Sequence, residues 1–362
     1  MSGYNTPINI PLELTPVKIN NDFTLNNDVL VNKHIIIPEN LFTWDFNVLD
    51  IDGKFILKNI VGKIFKNFIE KNNYRKINEI GLKIFIKNVS ELYHDHPYHN
   101  FYHATNVFHK TYMLLSECQL FKKLNLDVLF SILISALTHD IDHPGNNNLY
   151  EINTCSPLAL KYNDLSVLEQ HHCQITFELI EKYKLFENFS KQEFLICRKT
   201  IINCILGTDM NNHKNILDNL NNLRQKNDKS YSLFDFDLIE DQIFIGKIII
   251  HAVDIGNPIV QFDICEKWSH MVHQEFHNQI LNEEQNGIQT FSSFNFNSIE
   301  SFYKHEIKYI DYICLPFWNE MVNIFPILEE QRKKIMINLE IYKNKLKEIE
   351  QNLNTINLYE FI

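Results

Sequence analysis

The sequence predicts an all-α fold, a compact multi-helix domain, on three observations. From Leu41 onward the long segments repeat their apolar residues at helical spacing. The one Ile-rich run that imitates a strand is too long for one. No Gly-rich phosphate loop, internal repeat or strand-hairpin signature interrupts the pattern. With 362 residues, 45% of them hydrophobic, the chain can bury a substantial core as one large domain or one domain with a tail.

Taken in order, residues 1–41 are rich in Asn and Pro with no sustained period and read as an extended or disordered leader. His99 and His103 are four residues apart, so on a helix they share a face and point into one pocket. Leu126, Leu129, Phe130, Leu133, Ile134 and Leu137 recur at helical spacing, and Val128, Ile132 and Ala136 make the other sides apolar too. This predicts a helix buried all round that delivers His139-Asp140 at its end and stops at Pro144-Gly145. The run from Ile243 to Ile255 lacks an internal turn signal and ends at Asn257-Pro258, which favours helix over strand. Near the C-terminus Ile335, Leu339, Tyr342, Leu346, Ile349 and Leu353 alternate spacings of four and three, with Lys and Glu between them. That seam fits either a homodimeric coiled coil through the C-terminal helix or the last helix of the domain packing on its own core.

Charge and cysteine usage narrow the function. A formal net charge of -11 argues against nucleic acid as partner, because binding a phosphate backbone needs a basic face. A small anionic substrate stays open if metals supply positive charge locally. The seven cysteines include no CxxC pair and are odd in number, pointing to a reducing compartment. No basic start followed by an apolar run marks a signal peptide, and the most apolar stretches are too short or carry Lys247 and His251, so no membrane span is expected. The expected location is the cytoplasm.

Four positions read together as a metal site: His103, the adjacent pair His139 and Asp140, and Asp254. Imidazole nitrogens and carboxylate oxygens without thiolates suit one borderline cation beside a harder, water-rich one, the ligand chemistry of a two-metal phosphohydrolase. A single histidine on an apolar helix is more often a core residue than a ligand. A His-Asp pair ending a buried helix differs, because an unpaired carboxylate there is costly unless a metal takes it up.

The order and spacing of several segments resemble the catalytic domain of class I 3′,5′-cyclic nucleotide phosphodiesterases over roughly Phe42 to Tyr342. They are Tyr98-His99-Asn100 with His103-Ala104, His139-Asp140 with Asp142-His143-Pro144-Gly145, Tyr162-Asn163-Asp164 with Val167-Leu168-Glu169 and His171-His172, Thr208-Asp209-Met210, Asp254 with Asn257-Pro258, and Glu275-Phe276. The resemblance implies a catalytic domain over 42–342 and a helical tail over 343–362. It implies two divalent cations, zinc and magnesium with manganese as an alternative: the first on His103, His139, Asp140 and Asp254, the second on Asp140 and waters. A hydroxide between them would attack phosphorus while His99 protonates the leaving 3′-oxygen. Glu169 would be the carboxylate that keeps His99 protonated, and His143, Thr208 and Asp209 would order the waters. The implied product is the 5′-monophosphate.

In the base pocket the resemblance assigns Tyr98, Asn257, Val272, Phe276, Glu306 and Tyr309. Glu306 stands where the family carries an invariant glutamine, and Tyr309 where it carries a stacking Phe. An ionised carboxylate only accepts hydrogen bonds, so it disfavours adenine, whose N1 is an acceptor, more than guanine, whose N1–H donates. This leans toward cGMP, against three opposing considerations: repulsion between guanine O6 and the carboxylate, a raised pKa that restores a donor, and a one-turn register shift that puts Glu306 on the surface. Two other functions stay open from the sequence alone, a His-Asp metallophosphohydrolase acting on a linear nucleotide and a non-catalytic cyclic nucleotide binder.

Overall fold

The computed structural model describes residues 37–226, 233–288 and 298–359, and the leader over residues 1–36 lies outside them. Among the described residues there are fourteen α-helices, joined by short 3-10 turns and one π-helical turn at Ile310–Cys314, and no strand. They are α1 (Lys54–Lys71), α2 (Glu79–Leu92), α3 (Phe101–Glu117), α4 (Leu126–Thr138), α5 (Asn148–Asn153), α6 (Pro157–Tyr162) and α7 (Val167–Lys182). There follow α8 (Lys191–Leu206), α9 (His213–Lys226), α10 (Ile239–Asp254), α11 (Phe262–Gln285), α12 (Ile299–Tyr309), α13 (Leu315–Ile324) and α14 (Glu329–Tyr359). None is long and apolar enough to cross a membrane.

The centre of the fold is α4, packed between α3, α8 and α10. It is buried from Asp127 through Thr138, as an apolar pattern on all sides requires. Its hydroxyls are satisfied inside the helix: Ser131, Ser135 and Thr138 each donate to the carbonyl four residues back. Against it lies α10, the Ile-rich run, which is a helix ending at Asp254. Gly246 makes the close approach possible, because a Cβ there would stand 2.6 Å from Ile132 Cγ1 and 3.1 Å from Cys204 Sγ.

Both ends of the domain differ from the sequence reading. Leu41, counted with the leader, is buried in the core, and its carbonyl accepts a hydrogen bond from His109 Nε2 at 2.6 Å. At the other end α14 runs from Glu329 through the expected break at 342 without interruption. Ile335, Leu339 and Tyr342 are buried in the domain core, and Leu346 and Ile349 pack partly buried against it. Of the first five positions of the heptad seam, three are thus buried in the chain's own core and two pack partly buried against it. The side chain of Leu353 lies outside the described residues.

Candidate metal centre and active-site cleft

Local structure explains how each ligand is delivered. Asn100 caps α3, its Oδ1 accepting from the backbone N–H of Tyr102 at 2.8 Å and of His103 at 3.3 Å, which fixes His103 in the first turn. His139 follows α4 directly, and Asp254 is the last residue of α10. At the end of α10, Trp318 Nε1–H donates to the Ala252 carbonyl at 3.0 Å, and Tyr309 O–H donates at 2.8 Å to that of Ile255, the residue that follows the helix.

These three helix ends bring the four predicted ligands together. His103 Nε2 lies 3.2 Å from His139 Nε2, 3.1 Å from Asp254 Oδ1 and 3.4 Å from Asp140 Oδ2. His139 Nε2 lies 3.2 Å from Asp254 Oδ1 and 3.1 Å from Asp140 Oδ2. Donors at about 2.0–2.2 Å from one tetrahedral zinc stand roughly 3.3–3.5 Å apart, so the spacing suits a shared cation. The tautomers agree: His139 Nδ1–H donates to the Ala136 carbonyl at 3.0 Å, leaving a lone pair on Nε2 aimed at two carboxylates. Acceptors facing acceptors require a positive charge between them. Without one, burial opposes the His139 imidazolium, but Asp140 and Asp254 push its pKa well above the usual range. The residues therefore fit a divalent cation.

The imidazole side of the site is closed, whereas Asp140 and Asp254 also face a cleft of about 380 Å³. His99, His143, Thr208, Asp209, Glu169 and Phe276 line the same cleft. His99 Nε2 stands 3.9 Å from Asp140 Oδ2, and its ring stacks on His143 with centroids 3.9 Å apart. His143 Nδ1 accepts from the Gly145 N–H at 3.0 Å. Asp209 accepts from Ser166 O–H at 2.6 Å, and Thr208 Oγ1 donates to the Ile205 carbonyl at 2.8 Å.

The structure corrects the partner of His99. Glu169 accepts instead from the Asn148 amide at 3.0 and 3.2 Å, and burial together with the neighbouring Asp209 carboxylate pushes it up to about 7. The carboxylate on His99 is Glu275 of α11. Its Oε1 accepts from His99 Nδ1, while Oε2 accepts the backbone N–H groups of Tyr98 at 2.8 Å and His99 at 2.9 Å. Burial disfavours the imidazolium, but Glu275, together with the Asp140 and Asp254 carboxylates, holds His99 up to about 9. Glu275 is 176 residues away from His99, so no local spacing marks the pair.

Sequence reasoning also left two neighbours without a role. His172 Nδ1–H donates to the Ile141 carbonyl at 2.6 Å and turns Nε2 toward Asp140 Oδ1, 3.8 Å away. Asp142, at a positive φ of 61°, is held from both sides by His94 at 2.7 Å and His171 at 2.8 Å. His171 and His172 belong to a quoted motif, but only the fold shows what they and His94 grip.

The base-pocket residues divide. Tyr98 packs behind His103, with ring centroids 4.4 Å apart, and its hydroxyl accepts from Asn257 Nδ2 at 3.0 Å. Val272 is partly buried against the core, and Tyr309 caps α10 as described. Glu306 is buried, which excludes the surface position that a one-turn shift would give it. Burial would raise its pKa, but hydrogen bonds from His273 and Ser269, with the His305 ring close by, hold it down to about 2, so it is a carboxylate and not a donor.

A family model described as 3′,5′-cyclic nucleotide phosphodiesterase matches residues 98–335. The cGMP-specific 3′,5′-cyclic phosphodiesterase alpha of Plasmodium falciparum (isolate 3D7) is 32% identical over 276 residues, 75% of this chain and 27% of that protein. The human high affinity cGMP-specific 3′,5′-cyclic phosphodiesterase 9A is 28% identical over 256 residues, 70% of this chain and 42% of that protein. This chain thus spans less than half the length of either relative. In structure it is similar to the phosphodiesterase domain of the RhoPDE fusion protein from the choanoflagellate Salpingoeca rosetta, with a TM-score of 0.80 and 33% identity, covering 86% of this chain and 97% of that one.

Proposed function

Because the chain belongs to the class I 3′,5′-cyclic nucleotide phosphodiesterases, we propose that it hydrolyses a 3′,5′-cyclic nucleotide to the 5′-monophosphate, favouring cGMP over cAMP and terminating cyclic nucleotide signalling. The observation that carries this reading is the opening of His99, paired to Glu275, onto the same cleft as the Asp140 and Asp254 carboxylates. Two divalent cations, zinc on His103, His139, Asp140 and Asp254 and magnesium or manganese on Asp140 and waters, would supply Lewis acidity to the phosphate and activate water as the nucleophile.

The chain's own residues do the rest. Glu275 takes the Nδ1 proton of His99 as a hydrogen bond, which turns Nε2–H toward the cleft. As water attacks phosphorus and the P–O3′ bond breaks, that Nε2 proton passes to the 3′-oxygen, which leaves as a hydroxyl. Held protonated by its carboxylate, His99 is charged near neutrality and ready for the step. His143, Thr208 and Asp209 offer polar atoms along the cleft for ordered water. Phe276, part of the cleft lining, would supply apolar surface for a base, and Tyr98, Asn257, Val272 and Tyr309 are the residues the resemblance assigns to the same slot. The cGMP preference is supported by Glu306 as an ionised acceptor and by the cGMP-specific activity named for two relatives.

The test is turnover of cAMP and cGMP side by side with zinc and magnesium present, with His99→Ala as control. Faster cGMP turnover, reduced about 10²–10⁴-fold by His99→Ala, is the expected result. No cleavage of either nucleotide, with intact binding, would overturn hydrolysis in favour of sequestration.

A further inference from the structure

Glu306 carries a negative charge into the seam between α11 and α12 with little to balance it. The group is buried and ionised. Among the described residues the basic groups paired with it are two histidine rings, His273 of α11 and its own neighbour His305. Burial pushes His273 below its usual range, so that ring is neutral. A buried carboxylate met by a neutral donor keeps an uncompensated charge, which is costly unless a cation joins it.

The geometry is that of a ligand set. His273 Nε2 lies 2.8 Å from Glu306 Oε1, and His305 Nδ1 lies 3.5 Å from the same oxygen. The second distance exceeds the ~2.7–3.2 Å of an N–H···O bond and matches the roughly 3.3–3.5 Å between two donors on one tetrahedral zinc. The two rings stand nearly perpendicular, with centroids 4.9 Å apart, and one donor atom from each of the three side chains falls within 4.8 Å of the others. Ser269 O–H donates to Oε2 at 2.6 Å, which leaves Oε1 to face the rings. The His305 side chain is 25% exposed, which gives a cation a way in and water a place as fourth ligand.

We propose that His273, His305 and Glu306 form a further metal site, outside the catalytic centre, for a borderline divalent cation such as zinc. None of the three lines the active-site cleft. Binding would replace the hydrogen between His273 and Glu306 and tie α12 to α11 two residues before Glu275, the partner of His99. The inference goes beyond nucleotide hydrolysis and stands whether or not Glu306 meets the base.

The experiment strips the full chain of metal by chelation and counts bound zinc by equilibrium dialysis, in the unaltered protein and in His273→Leu, His305→Ala, Ser269→Ala and His270→Ala. His273→Leu and His305→Ala should each bind one equivalent fewer than the unaltered chain. Ser269→Ala, which removes only the hydrogen bond to Oε2, should keep that equivalent but weaken it about 10–100-fold. His270 lies one turn before His273 and stacks on Phe302 at 4.5 Å without joining the donor set, so His270→Ala should keep the full count. An unchanged count in His305→Ala overturns the site, as does an equal loss in His270→Ala. Should His273→Leu not fold, His305→Ala decides, since that side chain is partly exposed. His139→Ala reports on the catalytic zinc separately: an equivalent lost there, with none lost in His305→Ala, would sink this site and leave the catalytic one standing.

Discussion

Glu275 and Glu169 are both buried carboxylates on the same cleft, yet their surroundings give them opposite states. Glu275 accepts from an imidazole and two backbone N–H groups, so its pKa falls well below the carboxylate range despite burial. Burial raises Glu169 to about 7, with the Asp209 carboxylate adding to the rise and only the Asn148 amide side chain opposing it. Only the first can hold a proton on His99. Glu275→Gln is therefore expected to lower kcat by at least about tenfold more than Glu169→Gln, since a charged partner is worth some 1.5–3 kcal/mol. Steady-state kinetics of the two variants check it, and equal losses would return Glu169 to the role the sequence suggested. The Glu-Phe motif was visible in the sequence, but which carboxylate meets His99 depends on where α11 crosses the loop before α3.

At the scale of elements, the ligand set is only as precise as the packing of α4 on α10. Gly246 faces Ile132 two turns above the ligand-bearing helix ends, and Cys204 of α8 closes the third side. Adding a methyl there overpacks a seam with no room, at a cost of about 1–3 kcal/mol. Gly246→Ala should lower Tm and weaken zinc binding together, because the helices part where His139 and Asp254 must meet. Gly62→Ala on α1 is the control: a Cβ there meets nothing within 4 Å, and helix propensity predicts no loss. A thermal melt with a zinc titration decides, and parallel behaviour of the two variants would contradict the packing argument.

For the whole molecule, the metal centre ties together α3, α4 and α10, so occupancy and global stability are linked. A ligand bound only by the folded state at ~100 times its Kd adds about 2.7 kcal/mol. Chelation should accordingly lower Tm by several degrees, and zinc should restore it. An unchanged melt with metal content removed would mean that the carboxylates are satisfied some other way. The same scale decides the fate of α14. Its seam of Ile335, Leu339 and Tyr342 reads equally well as a dimer stripe or a core stripe, because both bury the same face.

Periodicity and adjacent motifs are local properties of a chain, and they suffice for the helical class, the buried helix that ends in His139-Asp140, and the residue types able to hold a metal. The tertiary structure alone decided that Glu275 and not Glu169 meets His99, that Ser269 and His273 grip Glu306, and that α14 folds its apolar seam onto its own domain. Each is an encounter between helices distant in sequence. The charge state of a buried carboxylate and the partner of an apolar stripe are set by what the fold brings beside them, not by the residues on either side.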